Sequence, residues 1–520
     1  MHTKKQLTKS TVLSFPCRIP GKYLICLIST FFWGLISHGM ALFNKYSLHE
    51  DISQLFGVGA TFSSGRWMLD ILHKAEVFFL GGSFSLPLIN GLVSIFYISL
   101  CGCVIVKLLD IRKSVLIFAL SGALITSPTI TGLFGYMFTA PHYCLGYFMA
   151  ASGALLICNY KKWYTLLGGI LLIACSVGIY QAVIPFALTL MILWFIHYAH
   201  SQECLSWKRY FLRILYLLVA CIAFVLLYML INHLYLLMIG SSLSSYQGID
   251  SMGSLPLTTY LKRAIYAYKV FLLPTKAGPA CMYPNGLIYL YWALLLLCAA
   301  VTCGLFYLRA KERLSKMIQM ALPFIVAPLA INFIFVMCDP QTVHSLMIYS
   351  HVMLPIYLIW ALGALCERIE ALGKIRLSAL VCAVLLLCSM YVRIDNICYM
   401  KAEFVQTQTI RYFTTLIARI ESTDGYKGGM AVAYVNFTSK QNSSLIINEG
   451  YDDINITPYY DTADMINSFA VNSFIENWCG FAPQIFITAF NEHPEVKDMP
   501  CYPDDGSIKI IDNVVVVKFG

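Results

Sequence analysis

Two neighbouring carboxylates, Glu50 and Asp51, have the residue type and the position for acid–base chemistry. They follow shortly after the first long apolar stretch of the chain, residues 23–42. A carboxylate at the edge of a water-poor cleft can act as a general base and take the proton of an attacking hydroxyl. The pair could equally cap a short helix or lie in water, so the sequence leaves both interpretations open.

A second set of candidates is basic. Cations near a phosphate stabilise the negative charge that grows on its oxygens when it departs as a leaving group. The same cations could instead dock the chain on anionic lipid headgroups. The candidates are Arg66, Lys262, Arg263, Lys269 and Lys276.

Other polar residues at the ends of the apolar stretches form a third set. Each of them alone is commonly an interfacial anchor or a helix cap. Their shared membrane depth nevertheless predicts that they converge on a pocket. The set comprises Tyr136, His142, Tyr180, Gln181, Asp339 and His344.

The cysteines and histidines show no spacing typical of a metal site, so no residue is predicted as a metal ligand. The Glu50–Asp51 pair would suit a hard divalent ion such as Mg²⁺ or Mn²⁺, but base catalysis does not require one. A divalent metal cofactor is therefore left open.

Membrane helices are predicted to position these residues. The chain is 59% hydrophobic and only 12% charged, which is typical of a polytopic membrane protein rather than a soluble domain. Eleven apolar stretches are about long enough to cross a hydrocarbon core of ~30 Å as helices. They are residues 23–42, 84–106, 115–133, 141–158, 164–179, 181–198, 211–238, 287–308, 317–337, 345–364 and 377–393.

The distribution of charge predicts the orientation. Twenty Lys and Arg residues, against five acidic ones, fall in the connections on one side of these stretches. Basic residues near helix ends stay cytoplasmic, so the N-terminus is predicted inside and the C-terminus outside. The net charge of +9 follows from this topology and does not indicate nucleic-acid binding. The first apolar stretch is predicted to be an uncleaved helix, because it is long and no small-residue cleavage site follows it.

Two loops on the outer side, residues 43–83 and 239–286, are long enough to carry chemistry. Each contains a predicted amphipathic helix, at residues 65–80 and 256–273 respectively. Both helices are expected to lie along the membrane surface, and the second has a basic polar face that suits an anionic headgroup.

The chain is predicted to divide into a membrane domain, residues 1–394, and an outer α/β domain, residues 395–520. The tail is expected to contain helices at 399–421 and 462–477, a strand at 429–436 and a hairpin at 507–519. Asp461 and Asp464 would be the cap and first-turn acid of the second helix. Most of the nineteen cysteines fall within apolar stretches, whereas Cys479 and Cys501 of the tail are a candidate disulfide.

Within these boundaries the predicted spans contain no Asp or Glu. Ion-coupled transporters usually keep ionisable groups inside the membrane for binding the coupling ion. Their absence makes a transporter a weaker interpretation than an enzyme that works at the outer surface.

The chain resembles the type II Gtr glucosyl transferases that modify bacterial O-antigen. The resemblance rests on Glu50-Asp51 with Gly57, Gly59 and Gly65-Arg66-Trp67 after the first helix, on Gly178-Ile179-Tyr180-Gln181, and on the closing stretch 502–509. Their order and the hydropathy layout extend it over nearly the whole chain.

The resemblance implies a GT-C type fold in the bacterial inner membrane, with its active site on the periplasmic face. It implies a polyprenyl-phosphate sugar, such as undecaprenyl-phosphate glucose, as donor and lipopolysaccharide O-antigen or another glycan as acceptor. The acidic catalytic pair of that fold corresponds here to Glu50 and Asp51, of which Asp51 is favoured as the base.

Three alternatives remain: a flippase or transporter of a lipid-linked sugar, an O-antigen polymerase, and a non-enzymatic assembly protein that binds partners through its tail. The first would be indifferent to loss of Asp51, and the second would extend chains rather than add a side branch. The third would tolerate substitutions in the outer loops.

Overall fold

A computed structural model describes residues 19–47, 50–57, 62–202, 205–244, 255–274, 280–284, 286–310, 314–368, 374–437, 470–486 and 490–519. Helices dominate these residues. They are α1 (Gly21–Phe43), α2 (Glu50–Ser53), α3 (Trp67–Leu80), α4 (Pro87–Leu108), α5 (Ser114–Ile125), α6 (Pro128–Phe134), α7 (Ala140–Cys158), α8 (Trp163–Ile179), α9 (Val183–Ser201), α10 (Trp207–Ile239), α11 (Leu257–Leu272), α12 (Leu287–Ala310), α13 (Leu314–Ile331), α14 (Ile334–Met337), α15 (Met353–Arg368), α16 (Lys374–Glu421), α17 (Val471–Cys479) and α18 (Pro494–Lys497).

The membrane part is a bundle of long apolar helices. Among the described residues nine helices are long and apolar enough to cross a membrane, and the bent pair α5–α6 makes a tenth. Helix α8 is a shorter apolar helix of 17 residues. Each of the eleven predicted stretches overlaps one of these elements, which confirms a polytopic membrane protein, while the count of eleven spans stays a prediction.

The stretch 115–133 was predicted to form one span, but it is not one straight helix. It forms α5 and α6, which meet at an angle of 45°. Pro128 is the first residue of α6 and has no backbone N–H, so the helical hydrogen-bond ladder of α5 cannot continue through it.

Helix α10 shows what surrounds the bundle. It has 33 residues, yet only 11% of its most apolar 18-residue segment is buried inside the protein. Leucines along its length are more than half exposed, among them Leu212, Leu226 and Leu237. A continuous apolar surface of this length is stable only against lipid.

Helix α16 continues from the membrane bundle into the tail without a break. Its 48 residues cover both the predicted span 377–393 and the predicted helix 399–421, and span about 72 Å at 1.5 Å per residue. The predicted domain boundary after residue 394 therefore falls inside a helix.

Asp395 of α16 lies inside the helical bundle and is completely buried. The prediction that the membrane helices contain no Asp or Glu therefore holds only within the predicted boundaries. It accepts hydrogen bonds from Ser37 of α1 and from Thr131 of α6, the latter at 2.7 Å. The position escaped prediction because the predicted span ended two residues before it. The argument against an ion-coupled transporter is weaker as a result.

The tail is an α/β unit. Its sheet has the order β2 (Ile485–Phe486), β1 (Ala431–Val435), β4 (Val514–Lys518) and β3 (Ile508–Ile511), with β1 parallel to both neighbours and β3–β4 antiparallel. The predicted strand and terminal hairpin are confirmed. Asp512 and Asn513 make the hairpin turn with φ of 50° and 61°, as expected of a two-residue loop with two left-handed residues.

Two further predictions concern the tail. Helix α17 overlaps the end of the predicted helix 462–477, but Asp461 and Asp464 lie outside the described residues. Cys479 and Cys501 are free thiols, so the candidate disulfide is not present.

Candidate active site

Asp51 lies at the centre of a buried polar cluster after α1. It has no exposed surface, and its two carboxylate oxygens accept four hydrogen bonds. Lys45 Nζ and Ser47 Oγ each donate to Oδ2 at 2.6 Å. Ser85 Oγ donates to Oδ1 at 2.6 Å and the backbone N–H of Phe138 does so at 3.3 Å. Glu50, by contrast, is exposed at the start of α2.

Lys45 and Ser85 connect the buried carboxylate to a cavity of about 340 Å³. Lys45 Nζ donates to Ser85 Oγ at 2.7 Å, so the three polar groups form a closed triangle behind the cavity wall. Burial lowers the pKa of Lys45, although the Asp51 carboxylate opposes this effect. The other lining residues are mainly apolar or aromatic: Leu55, Phe56, Phe84, Leu86, Pro87, Asn477 and Trp478.

The tail domain supplies part of this wall. Asn477 and Trp478 belong to α17, and Trp478 stacks on Phe474 with ring centroids 5.2 Å apart. Ile52 of α2 is completely buried in the same apolar core as Phe474. The short helix that carries Glu50 and Asp51 is thereby held between the membrane bundle and the tail.

Arg66 lies in a second polar cluster, at the start of α3. Its Nη1 donates to the Tyr143 hydroxyl at 3.1 Å, and the guanidinium lies 5.4 Å from the centre of the Tyr180 ring. Tyr143 and Tyr180 stack on each other with centroids 4.5 Å apart. Arginine on aromatic faces is held by cation–π attraction and keeps a defined direction.

Two of the motifs noted in the sequence meet at this cluster. Gln181 Nε2 donates to the Ser64 carbonyl at 2.7 Å, and the Tyr228 hydroxyl donates to the Gly65 carbonyl at 3.0 Å. Gly65 has φ of +74°, and a Cβ there would lie 2.7 Å from the Tyr228 oxygen and 2.9 Å from Gln181 Nε2. The positive φ favours glycine at this turn, and a Cβ would also displace the hydrogen-bonded ends of Tyr228 and Gln181.

Trp67 packs directly on Gly178 of α8. A Cβ on Gly178 would lie 2.5 Å from the Trp67 ring, which is too close for any side chain. We expect Gly178→Ala to push α3 away from α8, to cost about 1–3 kcal/mol of stability, and to lower the melting temperature in detergent. Gly168→Ala on the same helix is the matched control, because its nearest atom would be at 3.9 Å. Equal melting temperatures for the two variants would contradict this close packing.

Asp70 and His73 of α3 face the protein, whereas the sequence predicted a helix whose polar stripe points away from the membrane surface. Asp70 is buried, accepts a hydrogen bond from Tyr235 of α10 at 2.5 Å and pairs with Lys74 at 2.8 Å. Phe78 and Phe79 are about four-fifths exposed, at 81% and 78%. The two phenylalanines therefore point away from the bundle, whereas Asp70 points into it, because Tyr235 of α10 supplies a partner for its charge.

His142 lies in the first turn of α7 and joins α3 at this polar face. Its Nε2 lies 3.0 Å from Oε1 of Glu76, and its ring meets the ring of His73 edge-on at 4.7 Å. Burial, reinforced by the neighbouring His142, lowers the pKa of His73 to about 4, so this ring is neutral at physiological pH. Burial disfavours ionised Glu76, but the hydrogen bond and charge of His142 outweigh it and lower the pKa of the carboxyl.

The short segment Ser83-Phe84-Ser85 joins the clusters. Ser83 Oγ donates to Glu76 Oε2 at 2.8 Å, while Ser85 Oγ donates to Asp51. The ring of Phe84, between them in the chain, lines the cavity. Asp51, Glu76 and His142 therefore border one region at the same end of the bundle.

The basic residues of the second loop are placed elsewhere. Helix α11 packs on α13 and α14, where Arg263 pairs with Asp339 at 3.7 Å. Lys262 and Lys269 are exposed on α11, and Lys276 lies outside the described residues. The structure thus brings Arg66, Tyr180 and Gln181 together and places His142 beside Glu76 and His73 of α3. The α11 cations lie on a different group of helices.

The family model for glucosyl transferase GtrII matches residues 39–355, which is more than half of the chain and includes the Asp51, Arg66 and His142 clusters. The chain belongs to the GtrII glucosyl transferase family. No curated protein and no solved structure matches it. Family membership confirms the resemblance stated above and makes the protein a glycosyltransferase.

Sequence reasoning missed several residues of this candidate site. Lys45 and Ser85 contact Asp51, although they lie 6 and 34 residues from it in the chain. His73 and Glu76 are three residues apart on α3, a spacing that places them on one helix face. That spacing was the available signal, but their partner His142 comes from a distant helix.

Proposed function

We propose that this GtrII-family protein transfers glucose from a polyprenyl-phosphate donor, such as undecaprenyl-phosphate glucose, to lipopolysaccharide O-antigen. The reaction takes place on the periplasmic face of the bacterial inner membrane, with the N-terminus cytoplasmic and the C-terminus periplasmic. The observation that carries the proposal is the Asp51–Lys45–Ser85 triangle at the wall of an aromatic cavity. The cavity volume is within the range of small-ligand sites, roughly 300–1,000 Å³.

Asp51 is the proposed general base. An acceptor hydroxyl oxygen forms a bond to the anomeric carbon, and the bond from that carbon to the phosphate oxygen breaks. The acceptor hydroxyl takes the place of Ser85 Oγ as donor to Oδ1 and passes its proton to the carboxylate. Glu50, exposed on α2, is the alternative base.

The lipid phosphate leaves with the electron pair of the broken bond, and a cation must stabilise it. Lys45 borders the cavity and Arg66 is fixed between two tyrosines in the adjacent cluster. These two are the proposed phosphate ligands, assisted by His142, Tyr180 and Gln181 around Arg66. Lys262, Arg263 and Lys269 are the alternative cations, and on α11 they would act from a separate site.

Transfer of radiolabelled glucose in membranes supplied with the polyprenyl donor and O-antigen tests the function. We expect label in the acceptor with wild type and a fall of about 10²-fold or more in Arg66→Gln, since removing one preorganised donor costs roughly 10²–10³ in rate. Lys427→Gln, in an exposed loop of the tail, is the charge-matched control and should retain full transfer. A loss confined to Lys262→Gln or Lys269→Gln would move the phosphate site to α11.

The products separate the competing functions. A side-branch transferase adds label without changing the length of the O-antigen chain, whereas a polymerase lengthens the chain. A flippase moves the donor lipid and leaves its sugar–phosphate bond intact. Absence of label in the acceptor with folded, correctly inserted wild type would overturn the proposed function.

A further inference from the structure

Two histidines and a glutamate converge where α3 meets α7. His73 and Glu76 come from successive turns of α3, and His142 comes from the first turn of α7. One ligand atom from each of the three residues lies within 4.8 Å of the other two. Among the described residues this is the group of His, Cys, Asp and Glu side chains with the spacing of a metal site.

The histidines lack the partners that buried imidazoles normally have. His73 is 1% exposed and His142 is 7% exposed. Neither nitrogen of His73, nor Nδ1 of His142, has a hydrogen-bond partner within the described part of the chain. Buried polar nitrogens without partners are rare in folded proteins and need an explanation. The ion pair between His142 and Glu76 uses Nε2 of His142, so it leaves all three of these nitrogens unexplained.

The carboxylate is held in place and can be reached from outside. Ser83 Oγ fixes Glu76 Oε2 at 2.8 Å and leaves Oε1 directed at His142. The Glu76 side chain is 33% exposed, which gives an ion a path into the cluster. Outer-sphere hydrogen bonds of this kind orient carboxylate ligands in known metal sites.

We propose that His73, Glu76 and His142 bind a divalent transition-metal ion, with Zn²⁺ the ion that fits best. Two imidazole nitrogens and one carboxylate oxygen form the three-ligand set of open zinc sites, which keep a fourth position for water or substrate. Mg²⁺ prefers oxygen ligands and does not match two imidazoles. The ion clamps α3 to α7 next to Arg66.

This site differs from the one that the acidic pair would provide. Both oxygens of Asp51 are taken up by Lys45, Ser47, Ser85 and the Phe138 N–H, whereas the His73 nitrogens are without partners. The donor atoms for an ion are therefore on α3 and α7.

The test is metal content and metal-dependent stability of the full-length protein, purified in detergent with no polyhistidine tag and stripped with a chelator. After equilibration with Zn²⁺ and removal of excess ion, we expect one zinc per chain in wild type. The ion should raise the melting temperature, and Co²⁺ in its place should give the visible absorption of a low-coordinate site. Mg²⁺ should produce neither effect.

His73→Ala and His142→Ala should lose this zinc and its effect on melting, and Glu76→Gln should weaken binding by about 10- to 100-fold. His493→Ala, in the tail, is the histidine control and should keep the full zinc content. Because no sugar donor or acceptor is present, this outcome is independent of the proposed transferase activity.

Two results would overturn the proposal. One is wild type that takes up no zinc and whose melting temperature does not respond to it. The other is equal zinc content in wild type and in the two histidine variants, which would assign the ion to the cysteine thiols. The first of these results is measured on wild type only, so the proposal remains testable if a variant fails to fold.

Discussion

Asp51→Asn is expected to abolish glucosyl transfer while the protein stays folded and inserted. Asparagine keeps the shape of the side chain and one acceptor oxygen, but it cannot take the proton of the acceptor. Loss of a general base typically lowers the rate by about 10²- to 10⁴-fold. The measurement is kcat in the labelled-glucose assay at matched membrane levels, with Glu50→Gln as the neighbouring carboxylate control. Full activity in Asp51→Asn would show that the base is elsewhere.

The buried pair with Lys45 gives this substitution a second possible effect. Removing one partner of a buried ion pair leaves the other charge uncompensated and can cost several kcal/mol. Here the cost is reduced, because the Lys45 side chain is 27% exposed. A structural role for Asp51 must therefore be separated from its proposed chemical role.

The double variant Lys45→Met/Asp51→Asn makes that separation. If Asp51 only balances the charge of Lys45, its loss has no further effect once Lys45 is neutral. If Asp51 is the base, Asp51→Asn lowers kcat in the Lys45→Met background by about the same factor as in wild type. A double variant as active as Lys45→Met alone would therefore contradict the base assignment and leave Asp51 as a positioning residue.

The membrane helices could be predicted from the sequence because lipid imposes one simple requirement, an apolar stretch of sufficient length. The boundaries could not be predicted where a helix continues beyond the apolar stretch. Helix α16 shows this most clearly, since it runs from the apolar residues near 377 to the polar end at Glu421. Hydropathy records the change of solvent and does not record the continuity of the backbone.

The rotation of α3 about its axis shows a second limit of sequence reasoning. Its two faces were recognised, but which face meets the protein depends on neighbours far along the chain. Tyr235, on α10, donates a hydrogen bond to Asp70 and thereby holds this carboxylate against the bundle. Amphipathic periodicity defines the two faces of a helix and does not say what each face contacts.

The candidate site was predictable only in part for the same reason. Asp51, Arg66, Tyr180 and Gln181 were found because they belong to short motifs at predicted helix ends. Lys45 was not found, because it lies in the same loop as many ordinary polar residues and becomes distinctive only through contact with Asp51. The cations of α11 shared the predicted membrane depth, but depth alone does not fix a position around the bundle.

Loss of the contact between α2 and the tail is expected to have the second large effect on glucosyl transfer. Ile52 follows Asp51 directly and is completely buried in the tail core together with Phe474 and Phe413. Truncating a buried isoleucine to alanine costs about 2–5 kcal/mol. Ile52→Ala should release α2 from α17, open the cavity wall formed by Trp478, and lower both glucosyl transfer and the resistance of the tail to limited proteolysis.

Ile265→Ala on α11 is the matched control, since that side chain is 70% exposed. Ile52→Val, which keeps most of the packing, should cost only about 0.5–1.5 kcal/mol and retain most of the transfer. Phe474→Ala should reproduce the loss from the tail side, and the Ile52→Ala/Phe474→Ala double should be less than additive, because residues in one core share their packing energy. Strict additivity, or unchanged transfer in Ile52→Ala, would mean that the tail folds and functions independently of the loop that carries Asp51.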